Sequence, residues 1–175
     1  GTCALAGIDF HARKGEFIGI LGGNGCGKTT LLKILNGLLK PTRGEVCLEG
    51  THFKSLDKNK LFSRICTMFQ DPDDQLFAPT VIEDIAFGPQ NMQLSGPEVE
   101  ARVQRALESV GMTAFAHKNI HALSYGQKKR VCLAGVLAMG PEVILLDEPT
   151  ASLDPMGVSA IMHLLQDLNR GRGVT

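Results

Sequence analysis

The chain has 175 residues, with 18 basic and 18 acidic side chains and a formal net charge of zero. No basic face of the kind expected of a nucleic-acid binder is evident, and 43% hydrophobic with 21% charged residues argues against a disordered polymer. A domain of this length buries roughly 70% of its unfolded surface, so the fold needs no disulfide or metal staple.

Leu5, Ile8 and Phe10 punctuate a short N-terminal strand that turns at Lys14-Gly15. Glu16 to Leu21 reads as a buried apolar strand leading straight into a glycine-rich loop. Lys28 to Leu39 has helical apolar spacing and stops at Lys40-Pro41-Thr42-Arg43-Gly44. Glu45 to Glu49 alternates as a strand with Val46 and Leu48 on one face. A short helix over Asp57 to Arg64 and a strand over Ile65 to Phe69 follow.

From Asp71 the texture changes to turns and helices. Thr80 to Gln90 is predicted helical. Ser95-Gly96-Pro97-Glu98 reads as a capping-box start for a helix that runs to Val110 before Gly111. Another helix starts near Ser124 and reaches about Met139. Strand character returns at Glu142 to Asp147, followed by a helix from Pro155 to about Leu168. The layout is an α/β core with a helical insertion spanning roughly Asp71 to Met139. Gly173-Val174-Thr175 reads as the opening of another strand, so the chain is expected to be part of a longer protein.

Five cysteines (Cys3, Cys26, Cys47, Cys66 and Cys132) are scattered, odd in number and free of any CxxC pair, as reduced cytosolic thiols are. No apolar stretch approaches the ~20 residues that cross a bilayer, and no signal-peptide pattern opens the chain. A membrane link is therefore expected to run through a partner protein. The basic run Lys128-Lys129-Arg130 reads as a solvated helix face. His117 and His121 lack a matching carboxylate or cysteine pattern, and His11 and His52 have no partner at motif spacing.

Gly22-Gly23-Asn24-Gly25-Cys26-Gly27-Lys28-Thr29 fits G-x-x-x-x-G-K-[ST] between a predicted strand and a predicted helix. Glycines let the backbone wrap closely, so successive N–H groups can face phosphate oxygens, and the helix adds its positive end. Lys28 is assigned to the β and γ phosphates and the Thr29 hydroxyl to Mg²⁺, with Thr30 beside it. Cys26 is a small residue whose thiol is placed near bound phosphate.

Val143-Ile144-Leu145-Leu146-Asp147-Glu148 is an apolar strand ending in two acids. Asp147 at the strand edge is placed to hold Mg²⁺ or its water, and Glu148 to orient an attacking water. Leu123-Ser124-Tyr125-Gly126-Gln127 opens a long helix, with Ser124 as N-cap and Gly126 at a second anion-seeking helix end. A nucleotide held between two copies of the protein explains why one chain carries two such ends.

The order of phosphate loop, Gln70, LSYGQ, LLDEP and Ser152-Leu153-Asp154 resembles the ATP-binding subunits of ABC transporters over nearly the whole chain. The resemblance implies a P-loop NTPase core of the RecA-like, ABC type, with antiparallel N-terminal strands and an inserted helical subdomain. The core would take about residues 1–70 and 140–175, and the helical subdomain about 71–139, in one domain truncated at both ends. It implies ATP and Mg²⁺ as ligands, in a head-to-tail dimer with ATP between one phosphate loop and the partner's Ser124, Gly126 and Gln127. It also implies Gln70 as a Mg²⁺ and water contact, Glu148 as catalytic base, and Asp154 in a loop crossing the dimer interface.

Phe69 to Phe77, Glu83 to Pro89 and Pro155-Met156-Gly157-Val158 look like the cobalt-type and energy-coupling-factor importers. That likeness implies uptake of a transition-metal ion such as cobalt or nickel, or else a vitamin. It also implies a second ATP-binding subunit, identical or paralogous, and a transmembrane coupling subunit met by Asp73, Asp74 and Gln75. The protein would sit peripherally on the cytoplasmic face of the cell membrane, without a nucleic-acid partner. The sequence departs from the family at Tyr125, where a first glycine is usual. The switch histidine and the adenine-stacking aromatic are expected beyond Thr175 and before Gly1. Hydrolysis is therefore expected to need residues beyond both ends of this stretch. A chromosome-maintenance ATPase would carry coiled-coil insertions or CxxC clusters, and a GTPase an N-K-x-D element; this chain has neither.

Overall fold

The computed structural model describes residues 3–175, apart from the side chain of residue 172. Helix α1 (Lys28–Leu35) follows the glycine-rich loop and stops earlier than its apolar spacing suggests. Asn36, almost fully buried, donates from Nδ2 to Thr67 Oγ1 at 2.8 Å and accepts from Leu38 N–H at 2.9 Å. Gly37 then takes a φ of 80°, which ends the helix at little steric cost.

Strands β1 (Cys47–Leu48) and β2 (Thr51–His52) form an antiparallel hairpin with Cys47 opposite His52 and Leu48 opposite Thr51. Its turn residues Glu49 and Gly50 both have positive φ, 50° and 76°, as a two-residue turn matched to strand twist requires. Val46 and Leu48 are half-buried while Glu45, Cys47 and Glu49 are exposed, so the alternation read from sequence is realised.

Helix α2 (Lys58–Arg64) begins at Asp57, whose carboxylate accepts from Lys60 N–H at 3.1 Å. It delivers the chain to β3 (Ile65–Met68), which pairs in parallel with β4 (Val143–Leu146). Thr175 extends this sheet beyond β4: its N–H bonds Glu142 O at 3.0 Å and its carbonyl accepts from Ile144 N–H at 2.8 Å. Of the predicted strand opening at Gly173-Val174-Thr175, Thr175 alone makes these bonds; Gly173 instead takes a φ of 63° at the end of the last helix.

The segment before the glycine-rich loop differs from expectation. Neither Leu5 to Phe10 nor Glu16 to Leu21 joins a ladder among the described residues. Phe17, Ile18 and Leu21 stay exposed, Leu21 at 95%. An apolar run becomes a strand only where a neighbour supplies hydrogen-bond partners and a layer covers its side chains. Here the run is tied to the sheet region at Gly15, which donates to Thr175 Oγ1 at 2.9 Å and accepts from Asn169 Nδ2 at 2.8 Å.

Three helices pack together between β3 and β4: α3 (Val81–Asn91), α4 (Gly96–Ser109) and α5 (Tyr125–Met139). Val81, Ile85, Val103, Leu107, Val131 and Leu133 are all nearly inaccessible and form the centre of the core. The capping box is not at Ser95. Glu98 is held by Arg102 at 2.8 Å, and the box forms instead at Thr80 and Glu83, which opens α3. Helix α6 (Pro155–Arg172) closes the chain against this assembly through Ile161, Leu165 and Leu168.

Candidate nucleotide site

The glycine-rich loop reaches α1 through Gly25 and Gly27, at φ 76° and 99°. Residues 22–26 are exposed, Thr29 is exposed and Thr30 half-buried. A side chain at Gly22 would run into Cys26 Sγ, since an ideal Cβ there would lie 2.5 Å from it. One at Gly27 would meet Ala4 O and Leu5 Cδ2, both at 2.8 Å. Gly27 is therefore fixed by its φ and by the N-terminal backbone, whereas at Gly22 rotation of the Cys26 thiol would relieve the contact.

Lys28 curls back over this loop. Its Nζ donates to the carbonyl oxygens of Gly22 at 3.0 Å and Gly23 at 3.1 Å, and lies 3.9 Å from Glu148 Oε1. Glu148 Oε2 accepts from Gln70 Nε2 at 3.0 Å. Gln70 and Glu148 lie two residues beyond β3 and β4, whose parallel pairing brings residues 78 positions apart to the same end of the sheet. Asp147 is 7% exposed and its N–H bonds Met68 O at 3.0 Å, continuing the ladder one step. Glu148 itself has a φ of 47°, a strained conformation for a residue with a Cβ. Lys28, Gln70, Asp147 and Glu148 therefore gather at one sheet end beside the phosphate loop.

The donor set suits a hard dication. Thr29 offers a hydroxyl, Gln70 an amide oxygen and Asp147 a carboxylate, all oxygen ligands of the kind Mg²⁺ takes. Such an ion would neutralise charge on phosphate oxygens.

Ser124, Gly126, Gln127 and Asp154 lie apart from this cluster. Ser124 caps α5: Oγ accepts from Gln127 N–H at 3.3 Å while Gln127 Oε1 accepts from Ser124 N–H at 2.9 Å. Asp154 caps α6 by accepting from Gly157 N–H at 2.6 Å. All four line one recess of about 490 Å³, together with Ser152 and Leu153, and no residue of the phosphate loop lines it. The chain thus presents two separate surfaces, one with the phosphate loop and acids, the other with the helix end that follows Leu123.

The basic run departs from its sequence reading, for none of its three side chains forms a solvated face. Lys128 pairs with Asp73 at 2.6 Å, and Arg130 Nη1 donates to Val110 O at 3.2 Å. Lys129 is fully buried and donates to Gln70 O at 2.9 Å and Glu148 O at 3.1 Å, with its ammonium 5.6 Å from the Tyr125 ring centre. Burial holds this ammonium below its ordinary pKa. Its position one helical turn after Tyr125 was the available sequence signal, but nothing in spacing shows that a lysine faces inwards.

Gln75 also turns inwards, accepting from Phe69 N–H at 3.1 Å and donating to Cys132 O at 3.2 Å. Asp74 remains exposed. Near it, the exposed rings of Phe77 and Phe87 meet edge to face with centres 4.6 Å apart.

The family profile for ABC transporters matches residues 5–151. The chain belongs to the ABC transporter family. A putative ABC transporter ATP-binding protein of Geobacter sulfurreducens is 58% identical over 175 residues, covering all of this chain and 63% of the relative. The energy-coupling factor transporter ATP-binding protein EcfA of Methanocaldococcus jannaschii is 56% identical over 178 residues, again covering 63% of the relative. Among solved structures, cbiO1 from Clostridium perfringens, part of the ABC transporter complex cbiONQ, superposes with a TM-score of 0.90 at 48% identity. That match covers 98% of this chain and 69% of cbiO1. The ATP-binding cassette MJ0796, in a dimeric post-hydrolysis state with ADP and Pi, gives 0.84 at 34% identity, covering 98% of this chain and 77% of its own. The chain spans 63% of the length of these two curated relatives. The fold is that of the ABC ATPase domains, a P-loop NTPase.

Proposed function

We propose that this ABC-family chain is the ATP-binding and ATP-hydrolysing motor of an importer of the energy-coupling-factor or cobalt type. The observation that carries the reading is the Gln70–Glu148 hydrogen bond beside Lys28, which sets a carboxylate, an amide and an ammonium around one point. In this reading Lys28 and the backbone of residues 22–27, with Thr29 and Thr30, hold the phosphates. Thr29, Gln70 and Asp147 hold Mg²⁺, and Glu148 accepts the proton of the attacking water as Gln70 orients it. The helical part over about 71–139 is the inserted subdomain.

The separation of the phosphate loop from the recess at Ser124 supports a head-to-tail dimer, identical or paralogous, in which each nucleotide meets both surfaces. The dimeric state of the MJ0796 cassette supports it further. The exposed Phe77–Phe87 pair and Asp74 suit a transmembrane coupling subunit, with the motor peripheral on the cytoplasmic membrane face. No helix among the described residues is long and apolar enough to cross a membrane itself.

The first cargo reading is a transition-metal ion such as cobalt or nickel, supported by the likeness to cbiO1. A vitamin is the second, supported by relatives that carry the energy-coupling factor name. Mass by light scattering tests the motor reading on the Glu148→Gln protein. Doubling with Mg-ATP, absent with ADP, is expected; a monomer under both conditions overturns the dimer site. ATP-dependent cobalt uptake, against biotin, riboflavin and thiamine, in vesicles holding the membrane subunit decides the cargo.

A further inference from the structure

The β1–β2 hairpin carries a cluster that the nucleotide chemistry does not use. Glu45 lies two residues before Cys47, just ahead of β1, with both exposed and Val46 between them half-buried, and Cys47 stands directly opposite His52. Val46 O accepts from Phe53 N–H at 2.9 Å, so the neighbouring pair is hydrogen-bonded and the Cys47–His52 pair is not. In such a pair the facing side chains stand closer. His52, which lacks any partner at motif spacing in the sequence, thereby acquires two across the hairpin.

The three ligand atoms converge. Cys47 Sγ and His52 Nδ1 are 3.4 Å apart, His52 Nδ1 and Glu45 Oε2 are 3.1 Å apart, and all three atoms lie within 4.8 Å of one another. With metal–sulfur and metal–nitrogen bonds of about 2.3 and 2.0 Å, a tetrahedral Zn²⁺ site separates S from N by about 3.5 Å. The same geometry separates N from a carboxylate O by about 3.3 Å. The two observed separations fall close to these values, and the Cys47 thiol and Glu45 carboxylate lie within 4.8 Å of each other.

We infer that Glu45, Cys47 and His52 form a binding site for a borderline transition-metal dication such as Zn²⁺. The donor set of thiolate, imidazole and carboxylate selects such an ion over Mg²⁺ or Ca²⁺, which prefer oxygen alone. All three residues are exposed, so the ion reaches them from solvent, and a fourth position stays open to water. The ion would cross-link strands of two residues each, a hairpin that is marginal without further support. Val46 and Leu48 face the other way, so the clip and the apolar contacts act on opposite faces of β1.

Co²⁺ titration of the full, reduced protein tests the site, because thiolate ligation gives a charge-transfer band that oxygen ligands do not. Excess Mg²⁺ is present throughout to occupy oxygen-only sites. One equivalent of Co²⁺ is expected to develop the band, and Zn²⁺ to bleach it. Cys47→Ser should abolish the band, His52→Ala should weaken binding at least tenfold, and Glu45→Gln at least threefold. Cys26→Ser and Cys3→Ser should leave it intact. These side chains are exposed, so unchanged melting without metal confirms that each variant folds. No band in the unsubstituted protein, a band that survives Cys47→Ser, or binding unmoved by either His52→Ala or Glu45→Gln overturns the site.

Discussion

Lys129 Nζ donates to the main-chain oxygen of Glu148 at 3.1 Å, from a helix whose own first residues line a different recess. The same ammonium bonds Gln70 O at 2.9 Å. One buried cation thus bonds both residues of the acid–amide pair through their backbones, at the point where Glu148 takes its left-handed conformation.

Lys129→Met should leave the Gln70 carbonyl oxygen without this donor, while Glu148 O keeps the Ala151 N–H at 3.0 Å. The expected cost is about 1–3 kcal/mol of stability, the usual range for orphaned buried polar groups. ATP turnover should fall more than ATP affinity, because Gln70 and Glu148 lose their anchor while the phosphate loop keeps its contacts. Denaturant melts and separate binding and turnover measurements check both parts.

Glu148→Gln should retain ATP binding and slow hydrolysis by roughly 10²–10⁴, the scale for a lost general base. The amide still accepts from Gln70 and fits the same space, so stability should barely change. Single-turnover rates with saturating Mg-ATP measure the effect, and unchanged turnover would remove Glu148 from this role.

The thiols divide by burial. Cys3, Cys26 and Cys47 are exposed, whereas burial pushes Cys66 and Cys132 up to about 12. Alkylation of the native protein should label the first three and spare the other two until unfolding. Mg-ATP should slow labelling at Cys26, which sits across the loop from Gly22. Mass spectrometry of labelled peptides reads both.

The same two thiols give stability a pH dependence. Their folded pKa is raised, so above pH ~9 the unfolded chain releases protons first and stability falls as pH climbs towards 12. Each contributes a slope of up to about 1.4 kcal/mol per pH unit in that window. Replacing Cys132 with Ala should flatten the decline relative to the unsubstituted protein, and urea midpoints between pH 8 and 11 measure the difference.

Asp84 is 9% exposed and its Oδ1 accepts from Phe77 N–H and Ala78 N–H, both at 3.0 Å. Asp84→Ala should cost about 2 kcal/mol by leaving those donors unpaired, and should loosen the exposed Phe77–Phe87 pair. Thermal melts and hydrogen exchange at residues 77 and 78 are the measurements.

Local chemistry was legible in the sequence because it depends on neighbours along the chain. The phosphate loop, the cap at Ser124, the acids after β4 and the alternation in β1 all follow from residue type and spacing, and they identify the family. The hairpin turn and the caps of α2 and α6 obey the same short-range rules. Pairing across the chain is a different matter. Whether Glu16 to Leu21 joins a sheet depends on which strands lie beside it, and no periodicity carries that information. Lys129 reads as a surface charge until β3 and β4 place two carbonyl oxygens in front of it. His52 reads as solitary until a two-residue turn sets Cys47 against it. The sequence by itself determined which groups could bind phosphate and where helices begin; the tertiary structure decided which distant groups meet, because burial and strand register act between residues far apart in the chain.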